Sequence, residues 1–163
     1  VTKGWTRAVI ALGTNQGDRE ELLANAVADL AATEGVRVLA ASSVIDSIAL
    51  TESGFDETEP AYLNQVVVIE SAWPATHLLD RLHEIEARHG RPRDHVRWAP
   101  RTLDLDIITF GDLTLDTPTL TIPHPRAHER HFVLAPWLEI DPEATLPGHG
   151  PVRELVAGLE SSA

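Results

Sequence analysis

The segment Leu103-Asp104-Leu105-Asp106-Ile107 alternates apolar and acidic side chains. On a β-strand successive side chains point to opposite faces, so Asp104 and Asp106 share one face and the three apolar residues share the other. On a helix the same spacing would turn the two acids nearly apart. Two carboxylates about 7 Å apart along a strand repel by about 2–3 kcal/mol at an effective dielectric of about 20. A divalent cation removes that repulsion and gains hard oxygen ligands. Mg²⁺ suits the pair best, because it takes one or two carboxylates and completes its shell with phosphate oxygens. Just upstream lie Arg91, Arg93, Arg97 and Arg101, with Trp98 among them. With Arg88 they make five of the chain's 13 basic residues. Arginine presents a planar, two-pronged donor that matches phosphate. An acid pair for metal and arginines for phosphate point to metal–nucleotide chemistry.

Each of these features has a plainer reading. The aspartates could form the solvated face of an edge strand, and the arginines could pair with surplus surface acids. His124, between two prolines, could be a surface turn, although the run from Pro123 to Phe132 (PHPRAHERHF) adds three histidines and two arginines that suit an anion. Tyr62 and Asn64 share a strand face by period two. They could serve core packing and a strand-end hydrogen bond, or could line a pocket for a flat heterocycle, one by stacking and the other by reading donors and acceptors. The local sequence leaves both open. The turn from Gly13 to Asp18 lacks the Gly-Lys-Ser/Thr ending of a phosphate loop.

Composition narrows the classes. The chain has 163 residues, enough for one domain with a true core. Its net charge of -12 argues against broad nucleic-acid binding, while leaving room for a nucleotide at a local positive patch. There is no cysteine, so disulfides, thiolate metal sites and cysteine nucleophiles are excluded, and a cytoplasmic location is expected. No long apolar run suggests a membrane span or a signal peptide.

The elements that would position the chemistry follow in order. Arg7–Leu12 reads as a strand. Asp18 suits a helix N-cap, with a helix to Thr33 stopped by Gly35. Val36–Ile45 reads as a second strand, and Asp46–Ala61 as an acidic surface loop. Tyr62–Glu70 is a third strand with a buried run at Val66–Ile69, and Ala75–His89 a second helix led by Pro74. The arginine segment and the aspartate strand to Phe110 come next. Strand-helix-strand-strand-helix-strand is the ferredoxin-like βαββαβ pattern of an α+β protein, an antiparallel sheet with helices on one face. Beyond it, a C-terminal extension is expected to hold a hairpin or added strand within Gly111–Thr121, short helical turns over Arg126–Leu138, and an amphipathic helix over Val152–Leu159. No repeat or linker divides residues 1–163, which read as a single domain.

The run Arg97-Trp98-Ala99-Pro100-Arg101-Thr102-Leu103-Asp104-Leu105-Asp106-Ile107 resembles the signature of the 6-hydroxymethyl-7,8-dihydropterin pyrophosphokinase family of folate biosynthesis. Supporting matches are Ala11–Arg19, Tyr62-Leu63-Asn64, Gly90-Arg91-Pro92-Arg93 and Ile122–Phe132, colinear over about residues 7–140. The resemblance implies transfer of pyrophosphate from ATP to the pterin hydroxymethyl group, with release of AMP. It implies two Mg²⁺ ions on Asp104 and Asp106, and Arg91 and Arg101 as stabilisers of phosphate charge. ATP would be held by Glu86, Arg93, Trp98, Arg101, Ile107, His124 and Arg130. The reduced pterin would lie between Tyr62 and Phe132, read by Asn64, with further hydrogen bonds from main-chain groups near Ser47 and Leu50. No nucleic acid, membrane or obligate protein partner is implied. Ser47-Ile48-Ala49 stands where the family often has Thr-Pro-Pro, and Asp94 and Thr119 where some members have Lys and Arg. The segments at about 46–61 and 91–99 are expected to close over ordered substrates, excluding water. The rival from another class is a ferredoxin-like sensor that binds a nucleotide without turnover. A metal-dependent nuclease fits the charge poorly, and an RNA-binding module lacks the aromatic central strand it would need.

Overall fold

A computed structural model describes residues 4–15, 18–47, 50–51, 54–55, 62–89 and 103–161. The elements are β1 (Thr6–Thr14), α1 (Arg19–Ala32), β2 (Val36–Ala41), β3 (Ile45–Ser47), β4 (Leu50–Thr51), β5 (Gly54–Phe55), β6 (Tyr62–Ser71), α2 (Ala75–Arg88), β7 (Asp104–Phe110), β8 (Leu115–Asp116), β9 (Thr121–Ile122), α3 (His131–Ile140), β10 (Thr145–Leu146), β11 (Gly150–Pro151) and α4 (Val152–Ser161). A short 3₁₀ turn, Ala127–Glu129, precedes α3. The main sheet runs β2-β6-β1-β7, with β3 also paired to β6, and every pairing is antiparallel.

Local chemistry explains most boundaries. Asp18 caps α1, its Oδ1 accepting the Glu21 N–H at 3.2 Å, and Glu20 and Glu21 lie in the first turn, where the helix dipole favours them. Past its end Gly35 takes φ +82°, and a Cβ there would lie 2.2 Å from Trp73 Nε1, so only glycine fits. The second strand is shorter than the sequence suggests. Ser42 donates its N–H to Val66 O but accepts the Val66 N–H on its side-chain Oγ, both at 2.9 Å. A side chain has replaced a carbonyl in the ladder, and the chain turns before β3 resumes pairing with β6. The expected acidic loop therefore begins as strand through Ser47 and includes the β4–β5 hairpin. The expected hairpin within residues 111–121 is present as β8 with β9, and the expected turns around residue 130 consolidate into the ten-residue α3.

The sheet has two covered faces. On one, Ile10 and Leu12 of β1, Ile69 of β6 and Leu105 and Ile107 of β7 meet Leu23 and Leu30 of α1 and Leu78, Leu82 and Ile85 of α2. Each fully buried leucine or isoleucine contributes about 1.5–3 kcal/mol of transfer free energy. On the other, Val9, Val66, Val68 and Ile108 meet Val133, Leu134 and Trp137 of α3 and Val152 and Val156 of α4. Helices α1 and α2 thus share one face, and α3 and α4 cover part of the second. Coverage on both sides explains why β1 and β6 read as near-continuous apolar runs instead of alternating ones. The shift between Val9 and Ile10 leaves Ile108 as an extra residue in β7, which returns Phe110 to the α1–α2 side. α3 is tied to the sheet by Glu139, which accepts the Ser43 O–H at 2.6 Å and its N–H at 2.9 Å. Those two bonds, the hydroxyl first, hold the Glu139 carboxyl below its usual range.

Candidate active site

The second face of the sheet is left open where β1, β6 and β7 pass beyond α3. The register builds a grid of side chains there. Ser47 pairs with Tyr62. Ile45, Asn64, Gly13 and Asp104 align across four strands, and Val66, Ala11 and Asp106 align in the next row that shares this face. Asp104 and Asp106 lie on one face of β7, half-buried, while Leu103, Leu105 and Ile107 are buried on the other. The alternation read from sequence is therefore the geometry observed.

This face forms the floor of a cleft of about 560 Å³, lined by Gly13, Ser47, Tyr62, Asn64, Asp104 and Asp106 from the strands and by Arg126, Glu129, Arg130, His131 and Phe132 from the 3₁₀ turn and the start of α3. Gly13 keeps the floor flat between Asn64 and Asp104. A Cβ there would come 3.3 Å from Asn64 Oδ1 and 3.9 Å from the Tyr62 ring. Asn64 is buried, and its Nδ2 donates to Ser47 Oγ at 2.7 Å and to Tyr62 O at 3.4 Å. The carbonyl can only accept, so it fixes which way the amide faces. Asn64 and Asp104 are two strand spacings apart, about 10 Å, which a bicyclic heterocycle with a short exocyclic arm can bridge.

The opposite wall is cationic. Arg130 lies 5.6 Å from the Phe132 ring centroid, and Arg126 sits 3.7 Å from Glu129. His124 is brought beside Asp106 by its main chain, whose N–H donates to Ile108 O at 2.9 Å. Its Nδ1 accepts the Arg126 N–H at 3.2 Å, which puts the proton of the neutral ring on Nε2. Burial pushes the His124 pKa down from 6.5. Arg130 and Arg126 add to that, and Asp106 opposes it. In metal-free protein the folded state therefore resists a proton that the unfolded chain accepts near pH 6.5. The stability this provides is complete above that value and is lost as pH falls through the lowered folded pKa. The melting temperature of wild type should fall further between about pH 7.5 and about pH 5.5 than that of His124→Gln. Equal falls would contradict the assignment.

Of the residues singled out from sequence, the cleft brings together Ser47, Tyr62, Asn64, Asp104, Asp106, Arg130 and Phe132, with His124 adjoining Asp106. Glu86 and Ile107 are elsewhere. Ile107 is buried in the core beneath the sheet, and Glu86 is buried with its Oε2 accepting the Leu105 N–H at 2.8 Å. Leu50 contributes its main chain to β4. Thr119 is exposed in the turn before β9. Arg91, Arg93, Asp94, Arg97, Trp98 and Arg101 lie outside the described residues, as do Ile48 and Ala49 and most of the two segments expected to close. Sequence reasoning missed Arg126, Glu129 and His131. Their signal was the charged run after Pro123, from which only His124, Arg130 and Phe132 were chosen.

Two carboxylates on one face of a cleft, with Arg126 and Arg130 also lining it, form a donor set that fits Mg²⁺ carrying a polyphosphate. Among the described residues no cluster of three or more acidic or histidine side chains that could hold a metal ion is present.

The family model for 7,8-dihydro-6-hydroxymethylpterin-pyrophosphokinase matches residues 9–142. The chain belongs to this pyrophosphokinase family. A pyrophosphokinase of Bacillus subtilis strain 168, 2-amino-4-hydroxy-6-hydroxymethyldihydropteridine pyrophosphokinase, is 44% identical over 133 residues, covering 82% of this chain and 77% of its own. The Methylorubrum extorquens protein of the same name is 38% identical over 157 residues, 96% of each. A Plasmodium falciparum HPPK-DHPS crystal structure with pteroate matches 96% of this chain at a TM-score of 0.70 and 14% identity. The chain spans 43% of that longer protein, and the likeness is one of fold.

Proposed function

We infer that the protein transfers the β,γ-pyrophosphoryl group of ATP to the hydroxymethyl oxygen of 6-hydroxymethyl-7,8-dihydropterin, releasing AMP, in folate biosynthesis. The observation that carries this reading is the common cleft. The sheet face presents a metal-suited acid pair two strands across from Asn64, in one cleft with Tyr62 and Phe132. The reading further takes the sheet and its two helices as a ferredoxin-like βαββαβ unit, residues 1–163 as one domain, and the enzyme as cytoplasmic. Among the described residues no helix is long and apolar enough to cross a membrane.

Tyr62 and Phe132 sandwich the pterin. Asn64, locked by Ser47, reads its edge, and the main chain near Ser47 and Leu50 supplies further hydrogen bonds. His124 and Arg130 hold the nucleotide phosphates together with Arg91, Arg93, Trp98 and Arg101. Asp104 and Asp106 hold two Mg²⁺ ions, which when bound screen the triphosphate charge. Phosphoryl-type transfer is mostly positioning and electrostatic stabilisation. The hydroxymethyl oxygen attacks the β-phosphorus in line, a P–O bond forms there, and the bond from the β-phosphorus to the α,β-bridging oxygen breaks. AMP leaves with that electron pair, and the hydroxyl proton passes to solvent. Arg91 and Arg101 stabilise charge on the phosphates as the bonds exchange. Neutral His124 donates from Nε2 toward phosphate oxygen, a role that needs no net charge.

Phosphorus NMR of a mixture of protein, ATP, Mg²⁺ and the reduced pterin tests this directly. AMP and a pterin diphosphate should appear in equal amounts. Nucleotide binding with no AMP would identify a sensor without turnover instead, and ADP as the nucleotide product would rule out pyrophosphoryl transfer.

A further inference from the structure

Among the described residues, strand β7, which presents the acid pair, is the outermost strand of its sheet on that side and pairs with one strand, β1. Such a strand turns alternate N–H and C=O groups away from its neighbour, and something must satisfy them. At Leu105, between the two aspartates, the outward N–H is met by a carboxylate. Glu86 reaches over from α2, and its Oε2 accepts that N–H at 2.8 Å. Glu86 is 3% exposed, between the core residues Ile85 and the next turn of α2. Three residues further along β7, the Ile108 carbonyl is met by the His124 N–H at 2.9 Å. The outer edge is thus fastened beyond Asp106 by main chain and between Asp104 and Asp106 by a side chain.

We propose that Glu86 is a positioning residue for the transfer reaction: by holding the Leu105 N–H it fixes the peptide plane between Asp104 and Leu105, and with it the mutual aim of the two carboxylates that take the metal. This rests on the reading of Asp104 and Asp106 as metal ligands. The physical case is the nature of the contact. A buried carboxylate is costly unless hydrogen-bonded, and a charge-assisted bond at this length is among the strong ones. Locking this plane restrains ψ of Asp104 and φ of Leu105, two of the four backbone angles that set the direction of one aspartate relative to the next. The fixed strand needs less reorganisation when the ion binds. Glu86 acts through β7 from beneath the cleft, which distinguishes this role from a direct hold on ATP.

The test compares Glu86→Gln, which keeps an acceptor of the same reach, with Glu86→Leu, which removes it, and Glu86→Asp, which is one methylene too short. The first readout is amide exchange at Leu105 by NMR in metal-free, nucleotide-free protein. The second is the Mg²⁺ concentration that half-saturates binding of a non-hydrolysable ATP analogue, and the third is KM for the pterin. Glu86→Leu should speed Leu105 exchange by about ten- to a hundredfold, the range expected for losing a charged hydrogen bond. It should raise the Mg²⁺ requirement about tenfold with the pterin KM unchanged, and Glu86→Gln, which keeps an acceptor but loses the charge, should fall between wild type and Glu86→Leu in exchange and Mg²⁺ requirement. Should Glu86→Leu fail to fold, Glu86→Asp against Glu86→Gln makes the same comparison. Unchanged Leu105 exchange in the leucine or aspartate variant would overturn the proposal. So would a Glu86→Gln protein that loses Mg²⁺-dependent nucleotide binding while its Leu105 exchange stays slow, the result expected of a direct charge contact with substrate. Failure of wild type to make AMP would sink the functional reading alone, since the exchange experiment decides the Glu86–Leu105 fastening without any turnover.

Discussion

Replacing Asp104 and Asp106 together by alanine is expected to cut turnover about a thousandfold or more, since metal-assisted charge stabilisation is worth several kcal/mol in the transition state. The same protein should lose Mg²⁺-dependent ATP binding. Its fold should survive, because both side chains project from the open face of β7 and the residues that anchor the strand, Leu105, Ile107 and Ile108, point into the two cores. Removing two like charges from one face also relieves their repulsion, so the melting temperature should hold or rise in metal-free protein. Steady-state turnover with calorimetric nucleotide titration separates the outcomes. Activity within tenfold of wild type would remove the metal assignment.

The second large effect is expected at the aromatic pair. Tyr62 and Phe132 face the cleft from β6 and from the first turn of α3. Stacking a flat base on an aromatic ring is worth about 1–3 kcal/mol by truncation, or about ten- to a hundredfold in affinity. Tyr62→Ala and Phe132→Ala should each raise the pterin KM by that factor, and the double variant by roughly their product unless one ring can compensate for the other. Affinity for the ATP analogue should change little at Tyr62 and somewhat more at Phe132, because Arg130 rests near that ring. Phe132 also packs against the α3–α4 core, so Phe132→Leu is the control that keeps burial while removing the π-face. A uniform loss of nucleotide and pterin binding in Tyr62→Ala would contradict a dedicated heterocycle slot.

Much of this arrangement was legible because period two survives in the residues that matter. The switch from apolar run to alternation at Asp104 and Asp106, and the polar Tyr62 and Asn64 at the start of an otherwise apolar β6, mark where the second sheet face loses its helical cover. Binary pattern thus set the acid pair on one strand face, while for Tyr62 and Asn64 it left packing and binding open. The break at Ser42 was hidden because a serine side chain can replace a main-chain acceptor without any change in local composition. Arg126, Glu129 and His131 were hidden for a different reason. They reach the cleft because α3 packs back across Val66 and Val68, and that contact is set by tertiary packing, not by any pattern within PHPRAHERHF. Glu86 was read as a nucleotide contact from family likeness. Its burial on the α2 side and its bond to Leu105 could not be seen until the register of β7 against β1 was known.

The account depends on the two β7 carboxylates jointly holding metal under the triphosphate. Titrating Mn²⁺ into the protein with a non-hydrolysable ATP analogue and the reduced pterin, and counting bound ions by electron paramagnetic resonance, addresses that dependence with no turnover involved. Wild type should bind two ions, and Asp104→Asn with Asp106→Asn should bind no more than the nucleotide carries alone. Equal stoichiometry and affinity in the two proteins would contradict the account.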